Sequence, residues 1–483
     1  MTPEALRARG EAFTQELSRE SYRAGAGLVL TTDFDGLFRR YADLASAEAL
    51  EAARGHPALR EWVVDNRVGR ATAALDDRLQ AFEAAAQVRL ESGETIPYQR
   101  VTVLIANEAD RARRTALDRA RRAVLAEPAG LRRQKLDAER EVLDGAVGGD
   151  AVAARSALSG IDLDALGAAS DAFLRDTAEL YREVLRERLA ELGIAPADAL
   201  RSDASWLFRG AAYDDVFPAG ALVTTARGQV GEMGLDAEAA GRVRFDTDER
   251  EHKRPRAFCA PVRVPDEVYL VIRPFGGYVD YRAFWHELGH ALHFGNTAAA
   301  LPFEHRWLGD NSVTESYAML FEHLLAAPPW LRRYTALRGE RLATFVREQA
   351  FSLLAIVRRY AAKLRYELAL HRLPSLDGAP RLYVELLTDA TGFRYDPEDA
   401  LLDLDDAFYA ARYLRAWQLE AMLSDTLRER FDVDWFRNPR TGPALLELFA
   451  RGQQAPADVV ARDATGRALT FGPLVSGLEA ALG

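Results

Sequence analysis

Cysteine is almost absent. Cys259 is the only one in 483 residues, which excludes an intramolecular disulfide and a cysteine-built metal cage. So low a content fits a reducing cytoplasm, and that is the expected compartment. No apolar run approaches the roughly eighteen residues of a membrane-spanning helix, so no membrane partner is expected. The opening stretch from Met1 to Gly10 holds no apolar segment of the secretory type. Positive charge is in deficit: 62 Lys and Arg face 73 Asp and Glu, a net −11. A nucleic-acid partner calls for a concentrated basic surface, so none is expected. What is present is 48% hydrophobic and 28% charged residues, the balance of an ordinary globular protein with material for a sizeable core.

Ala, Leu, Arg and Glu dominate, and apolar residues recur at three- and four-residue spacing, which predicts a mainly α-helical fold. Helices are expected over 66–90, over 106–143 with a break at Pro128, and over 164–192. The second carries Arg111, Arg113, Arg114, Arg119, Arg121 and Arg122. Interleaved acidic residues make it a solvated helix face by expectation, in preference to a nucleic-acid patch. Gly145, Gly148 and Gly149 break the pattern and divide the chain into an N-terminal helical region, 1–150, and a second helical region, 151–483, packed as one body. The β signal is confined to 257–264 and 268–273, which flank Pro265, Asp266 and Glu267 as a hairpin would. Phe275-Gly-Gly-Tyr278 then leads into a helix with Asp280 as its expected N-cap and Gly295 as its expected stop.

That helix contains His286-Glu287-Leu288-Gly289-His290. Residues four apart on a helix share a face, so both imidazoles can hold one metal ion. Glu287, beside the first imidazole, is placed to act as general base without binding the metal itself. A catalytic zinc site needs a third protein ligand and an open position for water. The extension that supplies a third histidine fails here, because position 293 is His where Gly is required and position 296 is Asn. His293 is therefore expected to pack or to support the site from outside the ligand set. The segment 311–325 reads as an amphipathic helix stopped by Pro328 and Pro329, and it offers Glu315 as the third ligand. Ser312-x-x-Glu315 also fits a capping box, but the motif upstream makes the ligand role the expectation. Glu322, two turns further on, is a candidate to orient a ligand imidazole, its alternative being a solvated charge.

The run His286-Glu-Leu-Gly-His-Ala-Leu-His293 follows Lys253-Arg-Pro-Arg-Ala-Phe-Cys259 and the strand 268–273, with Glu315 at 25 residues beyond His290. In this arrangement the chain resembles the thimet oligopeptidase/oligoendopeptidase F family of gluzincin zinc metallopeptidases, from Gly231 to Phe449. The resemblance implies a neurolysin-like, two-lobed helical zincin with a deep cleft and a small β-sheet next to the zinc site. It implies one Zn2+ per chain and peptide substrates, short peptides being cut as oligopeptidases cut them. An edge strand of the sheet would pair with the peptide backbone. Within 407–417, Tyr413 matches the family's oxyanion-donating tyrosine, and Tyr409 sits one turn before it.

The chain also departs from the family. Ser316-Tyr-Ala318 follows the third ligand where the family commonly has Pro-Ser-Gln, and 399–407 contains no histidine. The length is short for an oligopeptidase. A helical gluzincin carboxypeptidase of the Taq type is the alternative enzyme, since it carries a Glu-Ser pair like Glu315-Ser316. A non-catalytic peptide-binding relative is the alternative outside enzymes, and intact His286, Glu287 and His290 argue against it. Monomer and homodimer both remain open. Gly228-x-x-Gly231-x-x-Gly234 lacks the dinucleotide-binding pattern, and no G-x-S-x-G elbow occurs.

Overall fold

A computed structural model describes residues 1–483 and is helical apart from five short strands. The expected helices are present with shifted ends, except that 87–89, expected at the end of the first, is a strand. The first runs over Pro57–Ala85, and 106–143 resolves into Arg111–Val124 and Ala129–Ala146 with the break at Pro128. The stretch 164–192 divides at Thr177 into Leu163–Asp176 and Ala178–Glu191. No helix is long and apolar enough to cross a membrane.

The chain forms two compact units, each built from separated stretches. One comprises 1–63, 211–350 and 412–481, and the other 64–210, 351–411 and 482–483. The glycines near 150 do not part them, contrary to the expected division into 1–150 and 151–483. They lie inside the second unit, where Asp150 caps Ala151–Ser159 by accepting the Ala153 N–H at 2.9 Å. Three of the unit boundaries fall within continuous helices, Pro57–Ala85, Gly339–His371 and Tyr409–Phe431, and another falls at Gly210, in the turn before Ala211.

In the second unit, β1 (Gln87–Arg89) pairs with β2 (Thr95–Pro97), burying Val88 and Ile96 against Val101, Ile105 and Leu117. The arginine-rich helix is not simply a solvated face. Arg114 is buried against Asp203 at 2.9 Å, and Arg121 grips Asp399 with two bonds of 2.8 and 2.9 Å. Burial without such partners would be prohibitive for a guanidinium, so these charges serve internal cohesion.

In the first unit, β3 (Val243–Asp246), β4 (Phe258–Arg263) and β5 (Glu267–Val271) form a sheet in the order β3-β5-β4. The expected hairpin is β4–β5, and β3 joins it in parallel. The N-terminal helix, Pro3–Gly25, lies on one face, where Tyr22 stacks on Tyr269 at 3.8 Å. The motif helix, Tyr278–Asn296, lies on the other, with Phe284 edge-on to Phe245. Asp280 is not its N-cap. That place is taken by Gly277 at φ 88°, and Asp280 reaches back to accept the Phe275 and Gly276 amides. Gly295 does not stop the helix either: it lies within it, where a Cβ would meet Val243 Cγ2 at 2.5 Å.

Gly289 lets the motif helix meet a second helix, Asn311–Glu322, almost backbone to backbone. A Cβ there would stand 2.5 Å from the Tyr317 carbonyl oxygen and 2.6 Å from Ala318 Cα. Main chain cannot swing aside as a flexible side chain can. Gly289→Ala is therefore expected to destabilise the protein by about 1–3 kcal/mol, although alanine is the better helix former. Chemical unfolding measures this, and metal affinity should fall with it because the two ligand-bearing helices must part.

Candidate metal centre

The motif helix turns His286 and His290 to one side, with ring centroids 4.9 Å apart. Asn311–Glu322 brings Glu315 against them. Its Oε2 lies 3.4 Å from His286 Nε2 and 3.6 Å from His290 Nε2. These three donor atoms lie within 4.8 Å of one another. Ligands about 2.1 Å from a tetrahedral zinc stand roughly 3.4 Å apart, so the donor set fits that ion. The capping box is not formed as read. Asp310 caps the helix by accepting the Ser312 N–H at 3.0 Å, and Glu315 lies beyond the first turn, 5% exposed.

The other ring nitrogens are held from behind. His286 Nδ1 is 2.7 Å from Glu322 Oε2, and a carboxylate only accepts, so Nδ1 carries a proton and Nε2 is the nitrogen turned toward Glu315; the hydrogen bonds to these two carboxylates outweigh burial and raise the ring well above its usual value. Arg282 Nε donates to the other Glu322 oxygen at 2.7 Å. His290 Nδ1 lies 2.9 Å from Thr314 Oγ1 and can donate to it, which frees Nε2. Thr314 went unnoticed in the sequence, where a threonine beside the third ligand carries no signal. Arg282 was legible in retrospect, because it precedes His286 by one helical turn and so reaches the same carboxylate.

Electrostatics separate the glutamates. Burial alone would raise all three carboxyls. For Glu315 the His286 and His290 hydrogen bonds outweigh it and hold the carboxyl well below its usual range. For Glu322, Arg282 and His286 do the same. Glu287 keeps the upward shift from burial, with both imidazoles and the Cys259 amide pulling the other way. That amide donates to Glu287 Oε2 at 2.9 Å, which ties the carboxylate to β4.

The remaining candidates, His293, Tyr409 and Tyr413, are not among these donor groups. His293 is fully buried among Tyr317, Phe294 and Phe449, and burial pushes it down to about 3. It is a neutral packing residue. Tyr409 and Tyr413 are one turn apart at the start of Tyr409–Phe431, both partly exposed, with Tyr413 6.0 Å from the Trp417 ring.

No protein-family description matches the chain, and neither does any curated protein. Solved structures do. A candidate peptidase from Chlamydophila abortus aligns over 93% of this chain and 82% of its own, at a TM-score of 0.65 and 14% identity. A candidate oligoendopeptidase F from Bacillus anthracis str. Ames aligns over 96% and 83%, at 0.64 and 14%. A further candidate oligoendopeptidase F aligns over 97% and 85%, at 0.65 and 14%. The chain therefore has the mainly helical fold of these oligoendopeptidase F-type structures, and the likeness concerns the fold alone.

Glu322→Ala and Thr314→Val each leave an imidazole of the candidate site without its fixed partner. Zinc affinity is expected to fall about 10- to 100-fold for either, as read by competition with a chelator.

Proposed function

We propose that this protein is a zinc-dependent peptidase that hydrolyses peptide bonds in short peptides. The observation that carries the reading is the convergence of His286 Nε2, His290 Nε2 and Glu315 Oε2 beside a separately held Glu287. The oligopeptidase-type fold supports it. Zinc held by these three groups would lower the pKa of a water toward neutrality and polarise a carbonyl. The chain's own residues do the rest. The Cys259 amide fixes Glu287 Oε2, so Oε1 is presented to take the proton of the attacking water. Burial raises the basicity of that carboxylate, and the same group then delivers the proton to the leaving amine. Glu322 and Thr314 keep the imidazoles in the tautomer that leaves Nε2 open.

An oxyanion also needs a donor from the protein. Tyr413 shares a compact unit with the metal ligands, whereas Tyr409 falls in the other, so Tyr413 takes this role in the proposal. Tyr413→Phe is expected to lower kcat by about 10²-fold with folding and zinc content intact. The Taq-type carboxypeptidase is the second reading, favoured by the Glu315-Ser316 pair. Mass spectrometry on a peptide blocked at both ends separates the two, because only an endo-acting enzyme cuts it.

Glu287→Gln removes the base and no ligand. Turnover is expected to fall about 10²- to 10⁴-fold while one zinc per chain is retained, measured by metal analysis beside a peptide assay. Near-normal turnover in that variant would refute the mechanism. Glu315→Ala is expected instead to lose zinc on dialysis against a chelator, together with activity.

A further inference from the structure

β4 is the outer strand of its sheet, and only one of its edges pairs, with β5. In an antiparallel ladder one residue turns its N–H and C=O toward the partner strand and the next turns both away. The Cys259 amide donates to Glu287 Oε2, so Cys259 belongs to the outward set. Ala260, opposite Tyr269, belongs to the inward set. Pro261, opposite Val268 and the last residue before the ladder shifts register toward Arg263, is outward again, and proline brings a carbonyl but no N–H. Cys259 and Pro261 are partly exposed, while Ala260 and Val262 are buried. The free edge beside Glu287 therefore presents two carbonyls and no available donor. One amide is engaged by the candidate base, and the other does not exist.

We propose that this acceptor-only edge selects peptides by their backbone N–H groups, and that Pro261 determines specificity by withholding the donor that an ordinary edge returns. The proposal rests on the peptidase reading above. A peptide laid antiparallel on an ordinary edge exchanges two hydrogen bonds with each outward residue. Here the peptide residue opposite Pro261 gives its N–H and receives nothing at its carbonyl. Proline, N-methylation or an ester at that N–H removes the only bond on offer. Weakening the carbonyl as an acceptor removes none.

The test uses the zinc-loaded full-length protein and a blocked peptide whose cleavage site has been mapped. Single esters placed along the peptide each delete one N–H, and single thioamides each weaken one carbonyl acceptor. Two esters, on residues two apart, are expected to raise KM about three- to tenfold with little change in kcat. A thioamide at the residue opposite Pro261 is expected to leave KM unchanged. Pro261→Ala restores a donor, so KM for the parent peptide should fall about three- to tenfold and sensitivity to that thioamide should appear. Insensitivity to every ester overturns the proposal, as does a wild-type enzyme already slowed by that thioamide. So does an unchanged KM in Pro261→Ala with wild-type zinc content and unfolding midpoint. If that variant unfolds, the scan on the wild-type protein decides alone. Absence of any cleavage that Glu287→Gln removes overturns the peptidase reading and this inference with it, whereas cleavage without ester sensitivity overturns this inference only.

Discussion

The candidate metal centre depends on how closely two helices approach at Gly289. Packed helices ordinarily keep their axes about 8–10 Å apart, a spacing set by the side chains between them. Here a hydrogen stands where a side chain would, and the Tyr317 carbonyl lies where a Cβ would collide. Only at that separation do Glu315 and the two imidazoles bring their donor atoms to 3.4 and 3.6 Å. A glycine inside a helix costs about 1 kcal/mol relative to alanine. The packing of Leu288, Ala291 and Leu292 with Val313, Tyr317 and Leu320, all essentially buried, offsets it.

A second constraint fixes the start of the Glu315 helix. Asp310, almost fully buried, accepts the Ser312 and Ala457 amides and pairs with Arg415 at 3.1 Å and Arg412 at 3.5 Å. Arg412 also pairs with Glu61. Burial would raise the Asp310 carboxyl, but the Arg415 and Arg412 guanidiniums outweigh it and keep the group ionised. Removing one member of such a buried set leaves an uncompensated charge, so the set holds its geometry firmly. Arg412 and Arg415 flank Tyr413 on one helix. The electrostatic knot that positions Glu315 thus also positions the helix end bearing the candidate oxyanion donor.

The sequence disclosed the parts of this site that repeat at helical spacing. His286 and His290 at four residues, and Glu315 and Glu322 two turns apart, were legible because a helix converts such intervals into a shared face. The β4–β5 hairpin was legible from its two apolar strands and the turn between them. What could not be read was tertiary. β3 is four residues long and pairs with a strand over twenty residues away, so no local pattern announces it. Thr314 and the Cys259 amide matter through where their helix and strand come to lie. Gly295 looked like a helix stop because terminal and close-packed glycines are identical in one dimension. The division into two units was hidden for the opposite reason: at 63, 350 and 411 the chain crosses between them in unbroken helix, and glycine-rich 145–150 is an ordinary surface break.

Charge balance explains why the three glutamates take different roles. Glu287, Glu315 and Glu322 face a single guanidinium, Arg282, in this part of the first unit. Glu315 lies directly on the two Nε2 atoms, where a carboxylate is held ionised, and that suits a permanent ligand. Glu322 is neutralised by Arg282 and spends its other oxygen on an Nδ1 proton, so in the proposed site it would orient and not ligate. Glu287 alone has no cationic side chain bonded to it, only an amide, and burial shifts its proton affinity upward. A group that must first take a proton and then release it needs an affinity nearer neutrality than a ligand's. The amide of a sheet edge can hold such a carboxylate in place without fixing its charge, which suits the proposed base against β4 and the proposed ligands between helices.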